Sequence, residues 1–137
     1  TSGAVDQSAN RLIVGNAGDR TFSVIDLASG AVVTTARPAS FTGCRQPGGM
    51  ALDASGRLWV SNSQDGVHAF SATMAEIVLV STGTLSLPYG LTSADGRLYA
   101  ALGGFGYNAV AEISGTSLSR TVGVGPNPIG ITTFVPN

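Results

Sequence analysis

The stretch that decides the fold is Gly49-Met50-Ala51-Leu52-Asp53-Ala54-Ser55-Gly56-Arg57-Leu58-Trp59-Val60-Ser61-Asn62. A short apolar run, a four-residue turn and a second apolar run read as two strands joined tightly. The same text recurs on both sides. Arg57-Leu58-Trp59-Val60 is echoed by Arg11-Leu12-Ile13-Val14 and Arg97-Leu98-Tyr99-Ala100, 46 and 40 residues away. The lead-in Pro47-Gly48-Gly49-Met50-Ala51 is echoed by Pro88-Tyr89-Gly90-Leu91-Thr92 and then by Pro128-Ile129-Gly130-Ile131-Thr132, at steps of 41 and 40. A period near forty marks a stacked or radial array of one supersecondary unit.

Working outward, the unit continues through the loop Asn62-Ser63-Gln64-Asp65-Gly66 into a third strand, Val67-His68-Ala69-Phe70, and a fourth, Ile77-Val78-Leu79-Val80. In the next copy the first turn is Ser93-Ala94-Asp95-Gly96, and Asp-Gly favours the type I′ hairpin with positive φ at both central residues. Ser29-Gly30, between Ile25-Asp26-Leu27 and Val32-Val33, signals another tight hairpin. No segment carries a helical period. The strands also lack clean alternation: in Thr21-Phe22-Ser23-Val24-Ile25-Asp26-Leu27, Phe22 and Val24 share one face while Ile25 and Leu27 share the other. Sheets covered on both faces read this way. Four-stranded antiparallel sheets covered by copies of themselves are propeller blades.

The bulk numbers agree with a compact β fold. A net charge of -1 gives no electrostatic case for nucleic acid or an acidic membrane surface. Only 11% of residues are charged, and all seven fixed cations are Arg. Mean hydropathy is +0.27, yet no apolar run reaches the ~20 residues of a membrane helix. The excess apolar surface must enter a core or meet a partner. No signal peptide is visible at Thr1, so the chain either begins after cleavage or is a piece of something longer. A composition rich in Thr, Ser, Gly and Ala without Lys points to an extracellular, periplasmic or cell-surface location. The single cysteine, Cys44, is a free thiol, an inert one, or an interchain bridge.

The second strands Ile13-Val14-Gly15-Asn16 and Trp59-Val60-Ser61-Asn62 resemble the Tyr-Val-Thr-Asn signature of YVTN β-propellers, and Phe22-Ser23-Val24-Ile25-Asp26-Leu27-Ala28-Ser29-Gly30 resembles that family's third strand and turn. The Pro-x-Gly-apolar segments also resemble NHL repeats. The third copy departs from the signature: Tyr99-Ala100-Ala101-Leu102 lacks the terminal Asn. The resemblance implies that each Pro-x-Gly strand is innermost. The expected fold is therefore an all-β antiparallel β-propeller segment in a single domain, 1–137. Three four-stranded blades fall at about 2–38, 47–85 and 88–125, with an extra C-terminal inner strand at 128–135. The resemblance also implies a test for lactonase-type metal chemistry, whose ligands precede the inner-strand Gly. Gly48, Tyr89 and Ile129 stand there, and none offers a carboxylate or carboxamide oxygen. No metal and no cofactor are expected.

Three blades cannot close a ring that needs about four to eight. The outer faces of the first and last blades would stay open and apolar. The expected partners are further propeller blades, from the same chain or another, with the chain acting as a fragment of a longer protein or as a homo-oligomer closed head to tail.

In such a fold the loops between second and third strands, and the links between blades, gather on one face. That face would collect Asn16, Asp19 and Arg20; Asn62 and Asp65; Phe105, Tyr107 and Asn108; and, from the link 39–46, Arg45 and Gln46, with Tyr89 on the neighbouring inner strand. Asn, Asp and Gly form turns by themselves. Turn geometry asks for none of Arg45, Gln46, Phe105 or Tyr107, so these are the stronger binding candidates. Asn16 and Asn62 are expected to cap loop backbone, Asp53 and Asp95 to form turns, and Arg11, Arg57 and Arg97 to bond within their repeats. His68, the only histidine, is expected to pack or lie at the surface. No Gly-x-Ser-x-Gly nucleophile motif occurs, and Gly103-Gly104-Phe105-Gly106 lacks the strand-to-helix setting of a phosphate loop. The expected function is a non-catalytic scaffold or binding module within a larger ring. The alternative is part of a hydrolase, lyase or dehydrogenase whose catalytic groups sit on other blades.

Overall fold

The computed structural model describes residues 2–134. It contains twelve strands and, among the described residues, no helix. Blade 1 is β1 (Gly3–Asp6), β2 (Arg11–Asn16), β3 (Thr21–Asp26) and β4 (Val32–Ala36). Blade 2 is β5 (Pro47–Leu52), β6 (Leu58–Asn62), β7 (Gly66–Phe70) and β8 (Glu76–Ser81). Blade 3 is β9 (Pro88–Ala94), β10 (Arg97–Leu102), β11 (Ala109–Ser114) and β12 (Ser117–Gly123). Each blade is an antiparallel meander in sequence order. The chain is thus an all-β propeller segment of three four-stranded sheets.

The hairpins follow local chemistry. Asp95 and Gly96 both take positive φ, 49° and 72°, as the type I′ turn requires. In blade 2 the turn is held by one carboxylate. Asp53 Oδ1 accepts from the Ser55 and Arg57 backbone N–H, and Oδ2 accepts from Arg57 Nε and Trp59 Nε1. Burial would raise this carboxyl, but the bonds from Ser55, Trp59 and Arg57 hold it down at about 2. Blade 1 repeats the device with Asp6 and Arg11 at 3.0 Å. Blade 3 has Ala94 opposite Arg97, and Arg97 turns instead toward Glu112 on β11, 3.7 Å away.

Glycine on the inner strands sets how closely blades converge. A Cβ on Gly49 would lie 2.8 Å from the Leu91 backbone N, and one on Gly90 would lie 3.0 Å from the Ile129 backbone O. The Pro-x-Gly motif is therefore a close-approach motif: backbone packs on backbone near the axis. The second of these contacts also locates the tail. Residues 129–131 sit over β9 as β9 sits over β5. They make no strand ladder, however, so the extra strand expected at 128–135 is not formed among its described residues, and residue 135 lies outside them. A lone segment has no neighbour with which to exchange backbone bonds, because no second strand follows it among the described residues.

Two apolar seams hold the blades together. Between blades 1 and 2 lie Ile13, Phe22, Val24, Met50, Leu58, Val60, Phe70 and Met74. Phe41, only 2% exposed, joins them. Between blades 2 and 3 lie Trp59, Val67, Val80, Leu91, Leu98, Leu102 and Ile113, with Ala51, Ala69, Ala100, Ala109 and Ala111 filling the narrow places. Every residue of β6 and β7 is buried, which is why their sequences do not alternate.

Candidate functional site: the loop face

The link from blade 1 to blade 2 crosses this face and is fastened at Ser40, Phe41, Arg45 and Gln46. Ser40 Oγ donates to Glu76 Oε2 at 2.6 Å. Phe41 leaves the surface and plugs the first seam, edge-on to Phe22 with centroids 5.6 Å apart and tilted against His68 at 4.6 Å. Arg45 grips Asp65 with Nη2 to Oδ2 at 2.9 Å and Nε to Oδ1 at 3.3 Å. The backbone of Gln46 exchanges bonds with Ser63, whose Oγ also donates to the Cys44 carbonyl. Cys44 is exposed.

Beneath the link lies a polar network centred on His68. Asn62 Oδ1 accepts three backbone N–H groups, from Gln64, Asp65 and Gly66. The orientation of its amide is therefore fixed, and Nδ2 points at His68 Nε2, 2.8 Å away. Nε2 must accept, so the proton sits on Nδ1, which donates to Glu76 Oε1 at 2.7 Å. His68 is fully buried and neutral. Burial pushes its pKa below the usual value, and the bond to Glu76 offsets part of that. The Glu76 carboxyl is raised by burial, but the bonds from Ser40 and His68 outweigh this and hold it below its usual value. The Asp65 carboxyl lies low because of Arg45.

The three blades solve the same position differently. In blade 1, Asn16 Nδ2 donates to Ser23 Oγ at 2.8 Å and to Thr21 Oγ1 at 3.0 Å. Ser23, His68 and Ala111 occupy equivalent places in β3, β7 and β11. Polar Asn16 meets Ser23, polar Asn62 meets His68, and apolar Leu102 stands in the blade that has Ala111. The departure of the third copy from the signature is thus matched by loss of the acceptor.

The structure brings Arg45, Asn62 and Asp65 into one cluster and leaves the other candidates apart from it. Asp19 is exposed, and Arg20 takes a positive φ of 57° with a buried Nε that has no hydrogen-bond partner among the described residues. Tyr107 donates through its hydroxyl to the Thr84 carbonyl and covers Gly83. Asn108 Oδ1 accepts from the Asn127 backbone, and the Asn108 carbonyl accepts from Val124, tethering the link that leaves blade 3. The Tyr89 ring lies beside Gly103. Phe105 is 83% exposed on the lip of a cleft of about 410 Å³, walled by Leu87, Gly103, Gly104, Gly106, Asn108, Pro126 and Asn127. A second cleft of about 320 Å³ opens among the inner strands, lined by Ser2, Gly48, Gly49, Tyr89, Gly90 and Ile129. Among the described residues, no group of three or more His, Cys, Asp or Glu side chains is placed to hold a metal ion.

Sequence reasoning missed the partnership of Ser40, His68 and Glu76. One signal was available: the only histidine and one of two glutamates fall on consecutive strands of one blade. Register decides whether they meet, and a bulge between Ala69 and Phe70 sets that register.

No family model and no curated protein sequence matches this chain. Solved structures do resemble it. Hydrazine synthase from Kuenenia stuttgartiensis superposes with a TM-score of 0.79 at 19% identity, over 93% of this chain and 36% of that one. Virginiamycin B lyase from Staphylococcus aureus gives 0.73 at 13%, over 88% and 41%. The dihydro-heme d1 dehydrogenase NirN gives 0.66 at 14%, over 90% and 28%. These are β-propeller structures. The shared property is the propeller fold, and the chain spans less than half the length of each.

Proposed function

We propose that this chain is a non-catalytic binding module: part of a larger propeller ring, working outside the cytoplasm, that receives a partner on its loop face. One observation carries the reading. Arg45, Asp65, His68 and Glu76 are committed to holding the fold, whereas Phe105 stands free beside a cleft whose polar groups are mostly backbone. Arg45 is spent on Asp65, and His68 on Asn62 and Glu76. An exposed aromatic ring at a mouth lined by glycine suits an apolar or aromatic group of a protein or peptide. Loops on a rigid scaffold are the usual place for such contacts.

A photoreactive phenylalanine analogue at position 105, in the intact assembly, tests this. A crosslinked partner lost on competition with unlabelled protein supports it. Crosslinks to solvent alone overturn it. A second reading, a piece of an enzyme, draws on the lyase and dehydrogenase among the similar structures. It places the catalytic groups on blades beyond these three.

A further inference from the structure

Strand register assigns every blade a row facing the blade before it and a row facing the blade after it. The rows facing backward are apolar at the centre in all three blades. Blade 1 presents Val5, Leu12, Ile25 and Val32, and among the described residues no blade packs over them. The rows facing forward differ. Blade 2 offers Ala51, Trp59, Ala69 and Val78 to blade 3. Blade 3 presents Thr92, Tyr99, Glu112 and Arg120 to whatever follows.

On that last face Arg120 Nη2 lies 2.8 Å from Glu112 Oε2, and Arg97 Nε lies 3.7 Å from Oε1. Two guanidiniums, their side chains 50% and 64% exposed, share one carboxylate, so the cluster carries an excess positive charge. Arg11, the blade 1 counterpart of Arg97, shows what such an arginine does inside the ring: Nη1 donates to the Ala72 carbonyl in the β7–β8 turn of the next blade, at 2.9 Å. Among the described residues, no following blade stands where Arg97 could reach it.

We propose that the forward face of blade 3 docks a propeller blade that is not a copy of blade 1, one that brings a carboxylate to Arg97 and Arg120. This rests on the reading of the chain as part of a larger ring. A second copy fits poorly, because its Val5, Leu12, Ile25 and Val32 would desolvate the Glu112–Arg120 pair and place no carboxylate on that row. Head-to-tail closure by two copies, the simplest way to six blades, is therefore disfavoured by charge.

Val32 is 60% exposed on outer strand β4, and β12 with Arg120 is the outer strand it would face in a head-to-tail pair. Val32→Asp supplies the missing carboxylate at a site that tolerates it. Analytical ultracentrifugation of the whole chain at about 50 mM salt, where screening is weak, is expected to show Val32→Asp self-associating about tenfold more tightly than the native chain. Arg120→Ala in the same background should abolish the gain, and high salt should weaken it. Circular dichroism establishes that each variant keeps its strands. A native chain that already closes into a head-to-tail pair broken by Val32→Asp overturns this inference and leaves the larger-ring reading standing. A Val32→Asp chain that associates no more tightly than the native chain at any salt overturns this inference and likewise leaves the larger-ring reading standing.

Discussion

The two seams of this molecule hold the same backbone unit together by different means. The seam between blades 2 and 3 is narrow, filled by Trp59 and five alanines, and its link, residues 82–87, is tied mostly by backbone. Thr82 and Leu87 donate to the Asp65 and Gln64 carbonyls, and Ser86 accepts from Gly104. The seam between blades 1 and 2 is wider and aromatic, with Phe22, Phe41 and Phe70 in mutual contact. Its link is longer, and side chains fasten it through Ser40, Phe41 and Arg45. One seam is specified by shape, the other by shape plus a titratable polar network. The first should respond to volume alone and the second also to pH.

The largest effect should come from Trp59→Ala. It removes the biggest fully buried side chain and takes a donor from the half-buried Asp53 carboxylate. A loss of about 3–5 kcal/mol is expected, read as a lowered urea midpoint or, if the margin is thinner, as loss of the cooperative transition. Phe41→Ala should cost somewhat less, about 3 kcal/mol, because the plug comes from a link and not from a blade. Hydrogen exchange separates the two. Phe41→Ala should expose amides of β3 and β7 while β10 and β11 stay protected, and Trp59→Ala should release β10 and β11 as well.

The arrangement of blades was legible in the sequence because the repeat imposes its own register: the Arg-Leu-apolar and Pro-x-Gly echoes set the frame of three four-stranded blades without any structure. The last open row departs from the expected apolar face: Thr92, Tyr99, Glu112 and Arg120 stand where blade 2 carries Ala51, Trp59, Ala69 and Val78. Phe41 was not. It belongs to no repeat, so no periodicity says whether it points outward with Arg45 or inward with Phe22. The His68 network was illegible for a related reason. It joins a link residue, a loop amide and two strands, and its geometry depends on a bulge. The tail taught the converse lesson: Pro128-Ile129-Gly130 has the spelling of an inner strand, but a ladder needs a neighbour.

Acid should distinguish the seams next. The unfolded chain takes up a proton on His68 near pH 6.5, whereas the folded chain resists to lower pH because the imidazole is buried and its Nε2 is occupied by Asn62. Below pH 6.5 the unfolded state therefore binds more protons and stability falls as pH falls, at up to about 1.4 kcal/mol per unit. The loss ends once pH passes the lowered folded value. Glu76 beside it, and Asp65 beyond Asn62, are also held low, so their contributions vanish at still more acid pH, in the same direction. Arg45 opposes a charge on His68 as well. Urea midpoints between pH 7.5 and 5.5 should drop for the native chain, and exchange should open the seam between blades 1 and 2 before the seam between blades 2 and 3. Equal protection of both seams across that range would erase the distinction.

Arg45→Ala should have the smallest effect, and its size sharpens what the link is for. The pair with Asp65 is bidentate, but the side chains remain 34% and 29% exposed, so solvent screens it. About 0.5–1 kcal/mol is expected at low salt, shrinking as salt rises. The local consequence should be larger than the global one. Without Arg45, the Asp65 carboxyl should titrate closer to its ordinary range, because its largest depressing contact is gone and Asn62 Nδ2 at 3.2 Å remains. Arg45→Lys keeps the charge and loses the fork, so it should restore the salt-sensitive part of the stability and only part of the pKa depression. If Arg45→Ala instead rivals Phe41→Ala, the link is held by charge and not by its aromatic plug. The two seams would then differ in electrostatics far more than in packing.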